Sequence, residues 1–108
     1  MTVNIILPVR QVAEQRLLFL PHALEEMNAP DELITLEEVK EVIFKGEIIE
    51  DYPEDVRGHS CLMLGFGANQ RPIHVVCSPK NAYLAIITVY VPTRNRWEVG
   101  WKVRKPRA

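Results

Sequence analysis

The chain predicts an α+β fold in which N-terminal helices cover an antiparallel sheet. Three observations predict it. Helical spacing of apolar residues is confined to the part before Gly46. From Gly46 onward the apolar residues occur in short runs with strand-like alternation. Turn-forming segments separate those runs.

The bulk properties agree with a single domain spanning residues 1–108. With 108 residues, 47% hydrophobic and 25% charged, the chain can bury one core without cross-links. No apolar run approaches the roughly 18 residues a membrane span requires, so no membrane partner is expected. The apolar stretch Met1–Pro8 has no basic segment before it and no small-residue cleavage site after it, so no signal peptide is expected. Cys61 and Cys77 lie in strand-like sequence with no metal-ligand spacing around them. They are expected to be buried thiols in a reducing, cytoplasmic setting.

Charge is distributed unevenly. Glu25 to Asp55 holds twelve acids against Lys40 and Lys45, whereas Val56 onward holds nine Lys/Arg against Glu98. The basic part would attract polyanions such as RNA. The alternative is that the two halves neutralise each other.

The elements follow in order. Apolar spacing from Val9 to Leu17 predicts a helix over Pro8–Leu18, which Pro21 interrupts. Proline fits a first turn, so a second helix runs from Pro21 to about Asn28. Thr35 and Glu38 form a capping box, with Ile34 and Val39 as its hydrophobic staple. Gly46 is the expected left-handed stop, so Thr35–Lys45 is a helix. Its expected buried stripe is Leu36, Val39, Val42 and Ile43, and Glu41 pairs with Lys45 on the wet face. Strands are expected over Glu47–Tyr52, Ser60–Phe66, Arg71–Cys77, Tyr83–Val91 and Arg96–Val103. The nearly all-apolar Tyr83–Val91 is expected to be central. In the last strand Trp97, Val99, Trp101 and Val103 alternate with polar residues, which suggests a half-buried strand usable at a homodimer or partner interface.

The ordered segments Pro21-His-Ala-Leu-Glu-Glu-Met, Ile34-Thr-Leu-Glu-Glu-Val, Gly46-Glu-Ile-Ile-Glu-Asp-Tyr-Pro, Arg71-Pro-Ile-His-Val-Val and Ile87-Thr-Val-Tyr-Val-Pro, with Trp97 beyond, resemble domain-of-unknown-function family 4258 over roughly Phe19 to Trp97. That family is similar to RelE-like and BrnT-like toxins. The resemblance implies two or three helices on a four- to five-stranded antiparallel sheet (RelE-like or barnase-like). It also implies metal-independent endoribonuclease activity, and a small zinc-finger antitoxin as partner. Relatives carry basic residues where this chain has Glu25-Glu-Met-Asn-Ala-Pro-Asp-Glu, a loss of positive charge.

Metal-free RNA cleavage requires a base, an acid and donors to the phosphate. No cofactor or metal is expected. His74 is the leading acid or base, and strand alternation places it on one face with Thr88 and Tyr90, whose hydroxyls would contact phosphate or orient the imidazole. The alternative for His74 is packing, with a hydrogen bond to Thr88. His22, in the first turn of a helix, is a further catalytic candidate or else a capping residue. Arg71, Lys80, Arg94 and Arg96 are the candidate phosphate contacts. His59 is expected at the surface, as are the acids of Asp51-Tyr-Pro-Glu-Asp. A non-catalytic binding or regulatory module on the same fold is the competing function. No Walker, dinucleotide-binding, nucleophile-elbow or zincin motif is present.

Overall fold

The computed structural model describes residues 4–106. Met1–Val3, at the start of the apolar N-terminal stretch, and Arg107, at the end of the basic one, lie outside the described residues. The elements run α1 (Ile6–Gln15), β1 (Leu17–Phe19), α2 (Pro21–Met27), α3 (Leu36–Lys45), β2 (Glu47–Tyr52), β3 (Ser60–Phe66), a short 3₁₀ turn (Ala68–Gln70), β4 (Pro72–Pro79) and β5 (Leu84–Tyr90). They make an α+β fold with three helices and a five-stranded sheet ordered β1-β5-β4-β3-β2.

The sheet is mixed rather than wholly antiparallel. The pairs β2–β3, β3–β4 and β4–β5 are antiparallel, as their short connections require, but β1 runs parallel to β5. The first expected helix therefore ends early. Arg16 is extended, and Leu17–Phe19 leaves the helix to pair with Leu84–Ile86. An apolar run this short suits either period, and the open edge of β5 decides it.

The capping box at Thr35 forms on both sides: Glu38 N–H donates to Thr35 Oγ1 at 3.1 Å, and Thr35 N–H donates to the Glu38 carboxylate at 3.1 Å. The α3 stripe differs from expectation, because Leu36 is exposed while Glu38 is buried beside Val39, Val42 and Ile43. Gly46 also acts differently. Its φ is −82°, so it is extended and not left-handed. A Cβ there would come within 2.4 Å of the Leu64 carbonyl oxygen, so glycine is required by close approach to β3. The carbonyls at the end of α3 are met by Arg10 of α1, which donates to Ile43 O at 2.9 Å and Gly46 O at 2.8 Å.

One face of the sheet packs against the helices. Cys61, Met63, Ile73, Val75, Cys77, Leu84, Ile86 and Val89 meet Val9, Ala13, Ala23, Met27, Val39, Val42 and Ile43 in one core. Cys61 and Cys77 are direct cross-strand partners, free and buried, with sulfurs 3.9 Å apart.

The fifth expected strand, Arg96–Val103, does not form. Trp97 and Arg104 make an isolated antiparallel bridge, with Lys105 N–H bonded to Arg96 O and Glu98 N–H bonded to Val103 O. Between them Gly100 (φ +94°) and Trp101 (φ +68°) reverse the chain. Trp97 is buried, but Val99 and Val103 are exposed, so the alternation does not report a half-buried strand. Instead the segment after β5 folds back across the sheet face that the helices leave open. The premise of an interface strand carrying both tryptophans is thereby removed.

Candidate functional site

The site forms where this C-terminal segment crosses the sheet. His74 and Tyr90 are direct cross-strand partners, as are Val76 and Thr88, so the three expected residues share one face. The register shift between Val76 and Cys77 is a β-bulge that adjusts the alternation of β5.

Burial closes off His74, the leading acid or base expected from the sequence, from solvent. His74 has no exposed surface. Tyr90 packs edge-on to its ring with centroids 5.2 Å apart, and Trp97 does so at 4.4 Å. Its Nε2 lies 2.8 Å from the Trp101 carbonyl oxygen and its Nδ1 lies 3.1 Å from the Tyr90 hydroxyl. A carbonyl can only accept, so Nε2 carries the proton. Burial pushes the imidazole down to about 4, only partly offset by the Trp101 carbonyl and by Glu50. The ring is therefore neutral near pH 7, Nδ1 is bare, and the Tyr90 hydroxyl donates to it. Thr88 is half-buried and makes no hydrogen bond to His74 among the described residues.

Beside this pair lies a groove of about 340 Å³ lined by Tyr90, Val91, Pro92, Thr93, Arg96, Trp97 and Arg104. Arg104 stacks over Trp97 at 4.7 Å and holds Glu50 of β2 in a forked ion pair at 2.9 to 3.2 Å. Tyr52 donates a further hydrogen bond to Glu50. Burial works against the Glu50 charge, but the bonds from Arg104 and Tyr52 outweigh it and hold the carboxyl below its ordinary range. Arg96 makes no ion pair among the described residues. Arg94 likewise makes none and lies 5.4 Å over the Trp101 ring. Burial raises the Tyr90 phenol, so it is neutral and protonated.

The other candidates lie elsewhere. Arg71 is committed to structure: it donates to both Glu38 oxygens, at 2.9 and 2.8 Å, and to the carbonyls of Glu32 and Leu33. This clamp ties the start of β4 to the capping box. Lys80, in the β4–β5 turn, donates to the Arg57 carbonyl of the β2–β3 loop. His22 is exposed on α2 and lies 3.4 Å from Glu26, whose carboxylate accepts the Val89 N–H. No bond among the described residues joins His22 to His74. His59 is half-buried, with Nε2 2.6 Å from Asp51, and Asp55 holds Arg57 and Ser60. Asp51 and Asp55 of that segment are thus engaged with protein partners, and Glu54 is exposed.

Acidic residues of α3, β2 and the β2–β3 loop cover much of the basic stretch, with Glu38 on Arg71, Glu47 on Lys102, Glu50 on Arg104 and Asp55 on Arg57. What stays available at the groove is Arg96 with Arg94 nearby. Sequence reasoning missed Arg104 and the Trp101 carbonyl, since both depend on the fold-back. The signal present in the chain was Gly100, a turn residue inside an apparent strand.

The model of a family described as a domain of unknown function, DUF4258, matches residues 19–91. The chain belongs to the DUF4258 family. The match includes His74, Thr88 and Tyr90 and stops before Arg96, Trp97 and Arg104, so this family member closes its groove with residues outside the matched span. No curated protein and no solved structure matches the chain. Among the described residues no helix is long and apolar enough to cross a membrane, and no group of three or more His, Cys, Asp or Glu could hold a metal ion.

Proposed function

We propose that this DUF4258 domain is an RNA-binding module, on a RelE-like type of fold, that takes the phosphate backbone in the groove between Tyr90 and Arg104. The observation that carries the proposal is the groove itself, where Arg96 has no carboxylate partner among the described residues and Thr93 and Tyr90 line the same wall. Arginine without an internal partner is available for bidentate phosphate contact. A binding role fits the state of His74. A sealed, neutral imidazole has no route to a substrate hydroxyl, so it orients Tyr90 and exchanges no proton with RNA.

A metal-independent endoribonuclease of a toxin–antitoxin pair, held by a small zinc-finger antitoxin, is the second reading. It is favoured by Tyr90 lining the same groove as Arg96, whose charge would stabilise negative charge developing on a phosphate. The test is a fluorescence titration with a short unstructured RNA at two salt concentrations, followed by inspection of the RNA ends. Binding that falls steeply with salt supports the module. Arg94→Ala with Arg96→Ala should weaken binding across sequences and flatten the salt slope by about one unit per lost contact. Cleaved RNA with cyclic phosphate ends, abolished in His74→Ala, would favour the enzyme instead. Binding that is weak at every salt concentration would refute both readings.

A further inference from the structure

The hydrogen-bond chain through His74 has a consequence for what the groove can recognise. The Trp101 carbonyl fixes the proton on Nε2. The bare Nδ1 then draws the Tyr90 proton inward. The phenol is therefore not free to donate outward. Its oxygen can act toward the groove only as an acceptor, and no protein donor fills that role among the described residues. Arg96, which has no carboxylate partner among the described residues and is available for phosphate, lines the same groove. A ligand that suits both groups carries a hydrogen-bond donor close to a phosphate. In a nucleic acid the ribose 2′-hydroxyl meets that description, because it lies on the carbon next to the phosphate-bearing 3′ position and is absent from DNA. Base amino groups lie further from the backbone.

We propose that Tyr90 is a specificity-determining residue that accepts a hydrogen bond from a ribose 2′-hydroxyl, so that the groove selects RNA over DNA of the same sequence. This inference rests on the RNA-binding reading above and adds the group that distinguishes the two backbones. His74 is the positioning residue. It never meets the ligand, and it acts by holding the Tyr90 proton away from the groove. The backbone strain at Trp101, a bulky residue at φ +68°, is located where its carbonyl orients His74.

The experiment titrates the full chain with four fluorescent oligonucleotides of one sequence: RNA, 2′-fluoro RNA, 2′-O-methyl RNA and DNA. The fluoro form keeps the ribose pucker and removes the donor, so it isolates the hydrogen bond. RNA is expected to bind about tenfold more tightly than 2′-fluoro RNA, as one good hydrogen bond is worth roughly that factor. The methylated form and DNA should be at least as weak as the fluoro form. Tyr90→Phe should remove the RNA preference while keeping the salt dependence. Equal affinity for RNA and 2′-fluoro RNA, with a steep salt slope, would overturn the Tyr90 inference and leave the phosphate groove standing. Failure of all four to bind would overturn the RNA-binding reading itself. Because the oligonucleotide series uses the unaltered protein, the outcome does not depend on whether Tyr90→Phe folds.

Discussion

Replacing Glu38 with glutamine should cost this fold much of its stability at neutral pH, and the loss should shrink in acid. The Glu38 carboxylate accepts five hydrogen bonds, from Thr35 N–H and Oγ1, from Ala68 N–H and from two Arg71 nitrogens. The Arg71 bonds are the main cause that holds its carboxyl at about 2 instead of the ordinary 4.5, against a smaller opposing effect of burial. With about 1.4 kcal/mol for each tenfold change, that displacement favours the ionised folded state by about 3 kcal/mol. The side chain is only 9% exposed, so solvent screening removes little of this. The folded-state value lies below the unfolded one. The contribution is therefore complete above the unfolded value of 4.5 and is lost as the pH falls through about 2. At pH 3 about 1.4 kcal/mol of it survives. Glutamine imitates the protonated acid, so Glu38→Gln should lose about 2–3 kcal/mol at pH 7 and about half of that at pH 3. Urea unfolding followed by circular dichroism at both pH values measures the gap. A loss below about 1 kcal/mol at pH 7, or a gap unchanged at pH 3, would refute the assignment of Glu38–Arg71 as the clamp between α3 and β4.

Three further outcomes are expected. Gly65→Ala should destabilise by about 1–3 kcal/mol in thermal or urea unfolding, because the new Cβ would lie 2.7 Å from the Val42 Cα and backbone must move. Nitrogen NMR should find His74 as the neutral Nε2–H tautomer down to about pH 5. Its folded value lies below the ordinary 6.5, so its contribution to stability is complete above that pH and fades as the pH falls toward 4, and a ring already charged at pH 6 would contradict the sealed geometry. Cys61 and Cys77 should resist a thiol reagent in the native state, since their mutual hydrogen bond and burial push the Cys77 thiol well up. Labelling should then track global unfolding in urea, and rapid native labelling would contradict the core placement.

Several features were legible in the chain because their causes are local. The Thr35–Glu38 box, the start of α2 at Pro21 and the short, turn-bounded apolar runs of β2 to β5 rest on patterns of a few residues, and each appears close to where it was expected. The shared face of His74, Thr88 and Tyr90 followed from alternation as well. What failed was non-local. Leu17–Phe19 is a strand only because β5 offers it a free parallel edge. Arg71 resembled a phosphate contact until Glu38, 33 residues away, was found to claim it. The acidic and basic halves proved to be largely each other's partners, through four ion pairs that join the basic stretch to acids before Val56.

The C-terminal segment draws the sharpest line. From its residues alone Arg96–Val103 alternates like a strand, and Gly100 was the one local sign of a reversal. Its fold-back depends on surfaces distant in sequence: the Glu50 carboxylate for Arg104, and the open sheet face for Trp97. That fold-back buries His74, fixes its proton and turns the Tyr90 oxygen into an acceptor. The residue types and their common face were therefore determined by the sequence itself. Solvent access, tautomer and free charge were decided by tertiary structure, because each depends on which distant group fills the remaining hydrogen-bonding positions.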